Sequence, residues 1–449
     1  MTRYKSYSTY KSSGVEWLEK IPSNWSVVPL KRYCNYIARG LSPHYSENDE
    51  GIPVINQACI HWEGLKLENV KFQETSKLKG LRGKLFPGDL LINSTGTGTL
   101  GRVGIFDLKN EHLADSHVTI VRINKNLFVK FVYYLLQTDL YQGYVYSSLA
   151  TGATNQIELS REGLGNTPII IPTFQEQKLI VKFLDRETTR IDTLIAKKCE
   201  LIKLLEKKRN ALIAHAVTKG LDPNVPMKDS GISWIGKIPE YWSVMRLKFI
   251  MSNIVDCLHS TPTYDEDGEY IAIRTADISP GILDIHNAKR VNAKDYLERI
   301  ARLKPQVGDI IYSREGERYG MATLVPPDVD LCLAQRVMMF RVSSSNDHTF
   351  MMWALNADCT YQQIKQDTVG ATSPRVNIET IAEAWLSVPP IKEQQKIGAK
   401  ISKSCLVIDR LIHTIKAHIE IIQKYRQALI TAAVTGKIDV REEVERGAV

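Results

Sequence analysis

SGVEWLEKIP at residues 13–22 returns as SGISWIGKIP at residues 230–239, so the chain carries the same segment twice. The copies lie 217 residues apart, counted from Ser13 to Ser230. At the same spacing a further tryptophan follows each copy, and the pair Glu-Gln appears at 176–177 and again at 393–394. Self-similarity at a fixed period is typical of one architecture used twice. We therefore predict two structural units of the same kind in tandem.

The composition is that of a folded, basic protein. Of its 449 residues, 43% are hydrophobic and 24% charged, and the length suits two hydrophobic cores. No run approaches the roughly 20 apolar residues of a membrane span, and the polar start at 1–13 lacks a signal peptide, so we expect a cytoplasmic protein without membrane contact. The seven cysteines form no CxxC pair, which argues against a disulfide framework or a cysteine zinc site. A formal net charge of +8 permits nucleic-acid binding without establishing it.

Two long helices are predicted, one near the end of each copy. From about Phe174 to Val217 there is neither Pro nor Gly, and the second copy has an apolar period of seven residues. Such a period, sustained over several turns, is typical of helices that supercoil around a partner. We predict that the two helices pair with each other; the alternative is that each covers only its own domain. The predicted stripe consists of Leu184, Ile191, Leu205, Leu212, Ile401, Ile408, Ile415, Ile422 and Leu429.

Between the repeated segments the copies differ, and each reads as a small mixed α/β block. Short alternating runs, such as residues 90–93 and 118–123, predict strands. Residues 96–101 satisfy the GxGxxG pattern of a dinucleotide site. Because residues 102–107 read as another strand rather than as the helix that such a site needs, we predict a Gly-rich hairpin turn. The chain also lacks the patterns of a phosphate loop, a zinc-protease helix and a nucleophile elbow, so we expect no catalytic residue, metal site or cofactor in it.

A basic cluster precedes a Gly-Asp turn in both copies, with an offset of 220 residues from Gly88 to Gly308. Basic side chains beside variable loops are suited to holding DNA phosphates, although ordinary solvated surface would look the same. The phosphate-contact candidates are Lys79, Arg82, Lys84, Arg299, Arg302 and Lys304. Polar residues in the nearby loops carry groups that can pair with base edges. The base-reading candidates are Ser94, Thr95, Thr154, Asn155 and Gln156 in the first copy and Ser313, Arg314, Glu315, Thr372, Ser373 and Arg375 in the second.

Three features together resemble the specificity subunits of type I restriction-modification systems. They are the doubled W-(x)₃-IP-(x)₂-W opening, the Gly-Asp turn, and a proline-bearing strand that leads through Glu-Gln into a long helix, read as IPTFQEQ at 171–177 and VPPIKEQ at 388–394. The resemblance covers nearly the whole chain. It implies a mixed α/β (α+β) fold with two target-recognition domains in a pseudo-twofold tandem repeat, separated by two long helices that form an antiparallel coiled coil. The implied bounds are 1–172 and 221–390 for the domains, and 173–220 and 391–449 for the helices.

The resemblance also implies a division of labour. Each recognition domain reads one half of a split, asymmetric site on double-stranded DNA, and the helix pair sets the spacer and docks two methyltransferase subunits. S-adenosylmethionine, ATP and Mg²⁺ belong to those partners and to restriction subunits with a motor, so this chain is expected to be a non-catalytic, cytoplasmic protein of a prokaryote. Three alternatives stay open: a modification-only or two-part restriction enzyme, a coiled-coil protein-binding scaffold, and a cofactor role for the Gly-rich loops.

Overall fold

The computed structural model describes residues 4–77, 82–152, 157–316, 318–366 and 376–446. Contacts between Cα atoms divide the chain into two compact units. The first unit contains Met1–Lys197 and Ala417–Val449, and the second contains Lys198–Lys416. The bounds predicted from the sequence placed each long helix outside the domains. The contacts instead divide both helices, because one half of each helix packs into the core of each unit.

The described residues of the first sequence copy form short strands and four α-helices. Its strands are β1 (Tyr10–Val15), β2 (Leu18–Pro22), β3 (Ser26–Pro29), β4 (Cys34–Arg39), β5 (Ile52–Ile55), β6 (Ile60–His61), β7 (Gly64–Leu65), β8 (Lys71–Gln73), β9 (Asp89–Asn93), β10 (Val103–Phe106), β11 (Leu113–Ala114), β12 (Val118–Ile123), β13 (Ala150–Thr151), β14 (Glu158–Leu159) and β15 (Pro168–Ile171). Its helices are α1 (Val129–Leu136), α2 (Asp139–Tyr144), α3 (Arg161–Asn166) and α4 (Phe174–Lys219).

The second sequence copy repeats this order. Its strands are β16 (Met227–Asp229), β17 (Lys237–Pro239), β18 (Ser243–Arg246), β19 (Met251–Asp256), β20 (Tyr270–Ile273), β21 (Ile278–Ser279), β22 (Ile282–Leu283), β23 (Lys289–Val291), β24 (Ile310–Ser313), β25 (Ala322–Leu324), β26 (Leu331–Leu333), β27 (Val337–Val342) and β28 (Trp385–Val388). Its helices are α5 (Leu247–Ile250), α6 (Ala293–Ile300), α7 (His348–Leu355), α8 (Asp358–Lys365), α9 (Ile378–Ala382), α10 (Ile391–Val434) and α11 (Arg441–Arg446). Every helix in the described part of the chain is too short or too polar to cross a bilayer.

Sheet topology is the same in the two units. The larger sheet has the order β10-β9-β12-β4 in the first unit and β25-β24-β27-β19 in the second. A three-stranded sheet follows in each, as β11-β5-β8 and β26-β20-β23, and a two-stranded ribbon joins β3 to β15 and β18 to β28. The predicted tandem repeat of mixed α/β units is therefore confirmed by these three matching sheets.

Each unit has its own core, centred on the second tryptophan of the repeated opening. Trp25 and Trp242 are 0% and 1% exposed, whereas Trp234, from the first position of the motif, is 41% exposed. Full burial of an indole removes a large apolar area from water, so the buried tryptophan anchors the opening segment to the core. This contact explains why the sequence repeats a tryptophan at that position.

The Glu-Gln pair fixes the start of each long helix. The side chain of Gln177 accepts a hydrogen bond from the backbone N–H of Phe128 (2.8 Å) and donates one to the carbonyl of Pro172 (3.0 Å). Gln394 makes the same two bonds, each 2.8 Å long, to the corresponding backbone groups of the second copy. Both glutamines are 1% exposed, so these bonds satisfy backbone groups that would otherwise be buried without a partner. The motif therefore ties the helix to the strand before it and to α1 or α7.

The long helices pair within each unit, as predicted. In the first unit Arg426 of α10 forms an ion pair with Asp192 of α4 at 2.9 Å, and Ile191 and Leu429 belong to one core. Farther along α4, Arg186 donates to the carbonyl of Glu443 in α11, the short helix that follows α10. The alternative, that each helix covers only its own domain, is therefore wrong.

The second unit contains the equivalent contact, between Arg209 of α4 and Asp409 of α10 at 3.4 Å. The two helix segments run antiparallel here, because Ser387, which precedes α10, donates to the carbonyl of Val217 near the end of α4. Along α10 the predicted stripe is buried at four positions and half-buried at Ile422. In the second half of α4, Leu205 and Leu212 are half-buried.

The Gly-Asp turn is held by an ion pair in both units. Its glycine has a φ of 91° in the first copy and 87° in the second, a conformation that favours glycine. The buried carboxylate of Asp89 binds Arg122 at 2.7 Å, and that of Asp309 binds Arg341 at the same distance. The hydrogen bond to the carboxylate raises the pKa of each arginine, so both stay charged. The repeated Asp is therefore a structural residue that fixes the turn beside the basic cluster.

We expect Arg341→Met to destabilise the second unit by about 3 kcal/mol, because a buried carboxylate would lose its countercharge. Asp309 is 3% exposed, so water cannot replace the arginine. Amide hydrogen exchange should become roughly 100-fold faster in β24 and β27 and stay unchanged in β9 and β12. Arg122→Met is the matched control and should give the reverse pattern. Unchanged protection in both units would show that the ion pair does not hold the turn.

Candidate nucleic-acid interface

Each unit brings the flanks of its two predicted base-reading loops together. In the first unit the backbone N–H of Leu159 donates to the carbonyl of Ser94 at 2.7 Å, and in the second the N–H of Val376 donates to that of Arg314 at 3.1 Å. The second loop of each unit, at 153–156 and 367–375, lies outside the described residues. That applies to the candidates Thr154, Asn155, Gln156, Thr372, Ser373 and Arg375.

Three of the predicted base readers are buried, so their prediction was wrong. Ser94 is 0% exposed, and its hydroxyl is bonded to that of Thr119. Ser313 is also 0% exposed. Arg314 is 6% exposed, and its guanidinium forms an ion pair with Asp256 at 2.9 Å. Buried side chains of this kind present no group to a ligand.

The turn residue that follows Ser94 lies beside an open polar cleft. Thr95 forms a hydrogen bond with Nδ1 of His117 at 2.9 Å, and the Gln57 amide donates to its carbonyl at 3.1 Å. The cleft has a volume of about 710 Å³. Its polar lining includes Asn56, Gln57, His61, Asn69, Lys71, Arg102 and His117. Amide, imidazole and cationic groups of this kind pair with base edges and phosphates.

The charge in this cleft is predominantly positive. Asp115 is 5% exposed and accepts hydrogen bonds from the Tyr45 hydroxyl and from the backbone N–H of His117, both at 2.6 Å. Burial, and then the bond to Asp115, raise the pKa of the Tyr45 hydroxyl, so it stays protonated and donates. Lys71 and Arg102 supply the cations that line the cleft. An anionic polymer therefore meets hydrogen-bond donors and positive charge here.

The second unit places different residues at the matching position. The backbone N–H of Ser94 donates to the carbonyl of His117 at 2.8 Å, and the equivalent bond in the second unit joins Arg314 to Arg336 at 3.1 Å. The side-chain pair beside this bond is Thr95 and His117 in the first unit. In the second unit, Glu315 takes the place of Thr95, and its carboxylate lies 3.7 Å from Nε of Arg336. The same backbone arrangement thus presents different side-chain groups in the two units.

The described residues of the first predicted phosphate cluster have different surroundings. Arg82 is exposed and lines a groove of about 360 Å³ together with Arg39 and Arg161. Lys84 is ion-paired with Glu111 at 2.9 Å, which reduces the charge that it can offer. Lys79 lies outside the described residues. The two further arginines were missed because they are far from Arg82 in the sequence and meet it only in the fold.

The second predicted phosphate cluster needs a correction at Arg299. This side chain is 8% exposed, and its guanidinium donates to the carbonyls of Ala334 (2.8 Å) and Ser260 (2.7 Å), so it is structural. Lys304 is bound to Asp330 at 3.0 Å, and this hydrogen bond raises the pKa of the lysine. Arg302 is exposed and donates to a backbone carbonyl at 3.3 Å. The two basic clusters match in charge along the sequence, but they do not form the same basic surface in the two units.

Two site residues were missed by the sequence analysis although a signal for them exists. His117 and Arg336 each stand immediately before the central strand of the larger sheet. The segments read HVTIVRI at 117–123 and RVMMFRV at 336–342, and they align on the arginine of the Gly-Asp ion pair. Aligning the copies on that arginine would have identified the position.

The GxGxxG segment forms the predicted hairpin turn. It connects β9 to β10, which pair as antiparallel neighbours with Ile92 opposite Val103. Its three glycines have φ between 79° and 92°, which is typical of a tight turn. The segment therefore does not begin the helix that would hold a pyrophosphate.

Comparison with known proteins agrees with this architecture. The family model for the type I restriction modification DNA specificity domain matches the chain twice, over residues 22–204 and 239–421. The type I restriction enzyme MjaVIII specificity subunit of Methanocaldococcus jannaschii is 23% identical over 434 residues, which cover 94% of this chain and 95% of that protein. The EcoKI specificity subunit of Escherichia coli K12 is 21% identical over 443 residues, covering 95% and 92%.

A solved chain from a study of "complex assembly and conformational transition of the type I R-M system" has the same fold, with a TM-score of 0.69 at 15% identity and coverage of 93% of this chain and 99% of that one. The two family matches coincide with the sequence repeat and together span more than half of the chain. This chain therefore belongs to the type I restriction-modification specificity family, as a specificity subunit with two recognition domains.

Proposed function

We propose that this chain chooses the DNA site of its complex, with each unit reading one half of a split and asymmetric sequence. The observation that carries the proposal is the matched position described above, where Thr95 and His117 in one unit correspond to Glu315 and Arg336 in the other. Each base pair presents its own pattern of donors and acceptors, so different side chains at equivalent backbone positions bind different bases. The half-sites are therefore expected to differ in sequence.

Phosphate contacts and base contacts have separate locations in this proposal. In the first unit, Arg82 and Arg161 line a groove that borders the β13–β14 hairpin, and they hold the DNA backbone. Arg39 lines the same groove but is paired with Glu158 at 3.1 Å, which reduces the charge that it can offer. The polar cleft beside Thr95 faces base edges. In the second unit Asp256 stands where β4 has Arg39, so the backbone is held by other cations there, with Arg302 among the candidates.

The catalytic work is assigned to partner subunits. Two methyltransferase subunits bind S-adenosylmethionine and methylate adenine, and restriction subunits use ATP and Mg²⁺. The paired halves of α4 and α10 offer a docking surface, since Leu201 and Leu204 on one helix and Leu406 and Val407 on the other are exposed within the second unit. Exposed apolar side chains of this kind are typical of protein interfaces. This chain itself supplies no reacting group.

A reconstitution experiment tests this division of labour. The purified chain, its methyltransferase subunit and the mixture are each incubated with S-adenosylmethionine and a plasmid library of random sequence. We expect methyl transfer only from the mixture, and only to one split motif, with a complex mass that fits two methyltransferase subunits per chain. Methyl transfer by the isolated chain would contradict the non-catalytic role. Sequence-independent methylation by an assembled complex would contradict the selection of the site.

A further inference from the structure

We propose that Arg336, oriented by Glu315, selects a G·C pair in the half-site of the second unit, while His117 at the matching position selects a different base pair in the first. The proposal rests on the proposed function, since it names the residue and the base through which one unit reads its sequence. The inference goes beyond the proposed function because neither Arg336 nor His117 stands out in the sequence, and neither belongs to the phosphate clusters.

Arg336 carries an exposed guanidinium in the second unit. Its side chain is 56% exposed. Three other arginines of this region are engaged: Arg314 and Arg299 are 6% and 8% exposed and bonded to protein groups, and Arg341 binds the Gly-Asp carboxylate. Arg318, in the same turn, is exposed and donates to the carbonyl of Ala276 at 2.7 Å. Within the described part of the chain, the terminal nitrogens of Arg336 make no hydrogen bond. They are therefore free to donate to a ligand.

A relay of charged groups orients this guanidinium. The carboxylate of Asp256 binds Arg314 at 2.9 Å, and Arg314 binds Glu315 at 3.2 Å. Glu315, 20% exposed, then lies 3.7 Å from Nε of Arg336. The terminal nitrogens of a guanidinium carry two parallel N–H groups. That geometry matches the O6 and N7 acceptors of guanine in the major groove.

The backbone at Arg336 points to the same function. Its φ is 64°, in the left-handed region where a residue with a long side chain is rare and strained. The backbone N–H of Arg314 donates to the carbonyl of Arg336, and this bond holds the conformation at the start of β27. Glycine or asparagine would fit better if only the turn mattered. A strained arginine is consistent with a side chain that is needed for binding.

The first unit cannot read the same base in this way. Nδ1 of His117 is bonded to the Thr95 hydroxyl at 2.9 Å, which leaves Nε2 as the free ring nitrogen. One nitrogen cannot make the paired contact to guanine that a guanidinium makes. The two half-sites should therefore differ at the base pair that faces this position.

Three variants of the full chain, each co-expressed with the methyltransferase subunit, test the proposal by genome-wide mapping of methylated adenines. Arg336→Gly removes the guanidinium and suits the left-handed backbone, so folding is retained. Arg336→Lys keeps the charge without the paired donors. His117→Ala is the matched change in the first unit. We expect Arg336→Gly and Arg336→Lys to lose discrimination for one G·C pair by roughly 10- to 100-fold, and His117→Ala to relax one position of the other half-site.

Each other outcome overturns the proposal. If Arg336→Lys methylates the wild-type motif and Arg336→Gly lowers methylation equally at all sites, Arg336 contacts a phosphate and reads no base. If the motif is unchanged in both Arg336 variants, Arg336 does not face the DNA. Failure of the proposed function is recognised separately, because the wild-type chain would then impose no motif at all.

Discussion

Exchanging residues 30–167 for the corresponding segment of another specificity subunit is expected to replace one half-site completely and to leave the other unchanged. The structure gives the reason for these bounds. β3 and β15 pair as one antiparallel ribbon in which Pro29 lies opposite Pro168. The two ends of the exchanged segment therefore lie next to each other. The ribbon, α4 and their glutamine contacts stay intact, since Gln177 needs only a backbone N–H from the inserted segment. Methylated-adenine mapping reads both half-sites at once.

The matched control exchanges residues 247–384, which lie between Arg246 and Trp385, a facing pair of the second ribbon. This exchange should change the other half-site and only that one. A first exchange that altered both half-sites, in a complex of normal mass, would mean that the units do not read DNA independently.

Lengthening both long helices by one heptad is expected to lengthen the spacer and to preserve both half-site sequences. The insertions are placed after Lys197 and after Lys416, where the contacts divide the chain, so every helix contact within a unit is kept. Seven residues add about 10 Å of helix, which corresponds to about three base pairs of DNA, and they rotate the stripe by only about 20°. Mapping of methylated adenines gives the spacer directly.

A heptad inserted into α4 alone serves as the control. It leaves α10 at its original length, so the ion pairs from Asp192 to Arg426 and from Arg209 to Asp409 cannot both form in register. We expect this variant to lose site-specific methylation. New half-site bases at an unchanged spacing in the double insertion would contradict the role of the helices as a ruler.

Much of the frame could be predicted because it is repeated. The opening motif, the Gly-Asp turn and the Glu-Gln pair recur in the sequence, and each proves to be a contact that every unit needs: the burial of Trp25 and Trp242, the Asp–Arg ion pair, and the glutamine that fixes the long helix. The heptad stripe likewise identified the pairing of the helices. Repetition thus indicated the structural residues correctly.

The candidate site was harder to predict because residue type does not determine whether a side chain is exposed. Ser94 and Thr95 are neighbours of similar chemistry, yet the first points into the sheet and the second lies beside a cleft, since side chains alternate along β9 and its extension. Arg299 looked like a surface cation, but its helix packs on β26 and brings the guanidinium to buried carbonyls. Contacts between distant segments decide such cases, and sequence spacing does not report them.

The most direct test of the account is to remove this chain from a cell that keeps its methyltransferase subunit and to map methylated adenines by single-molecule sequencing before and after. The account predicts one split, asymmetric motif that is methylated when the chain is present, disappears when it is removed, and returns when it is supplied again. A motif that persists unchanged without the chain would show that another component selects the site, and it would contradict the account.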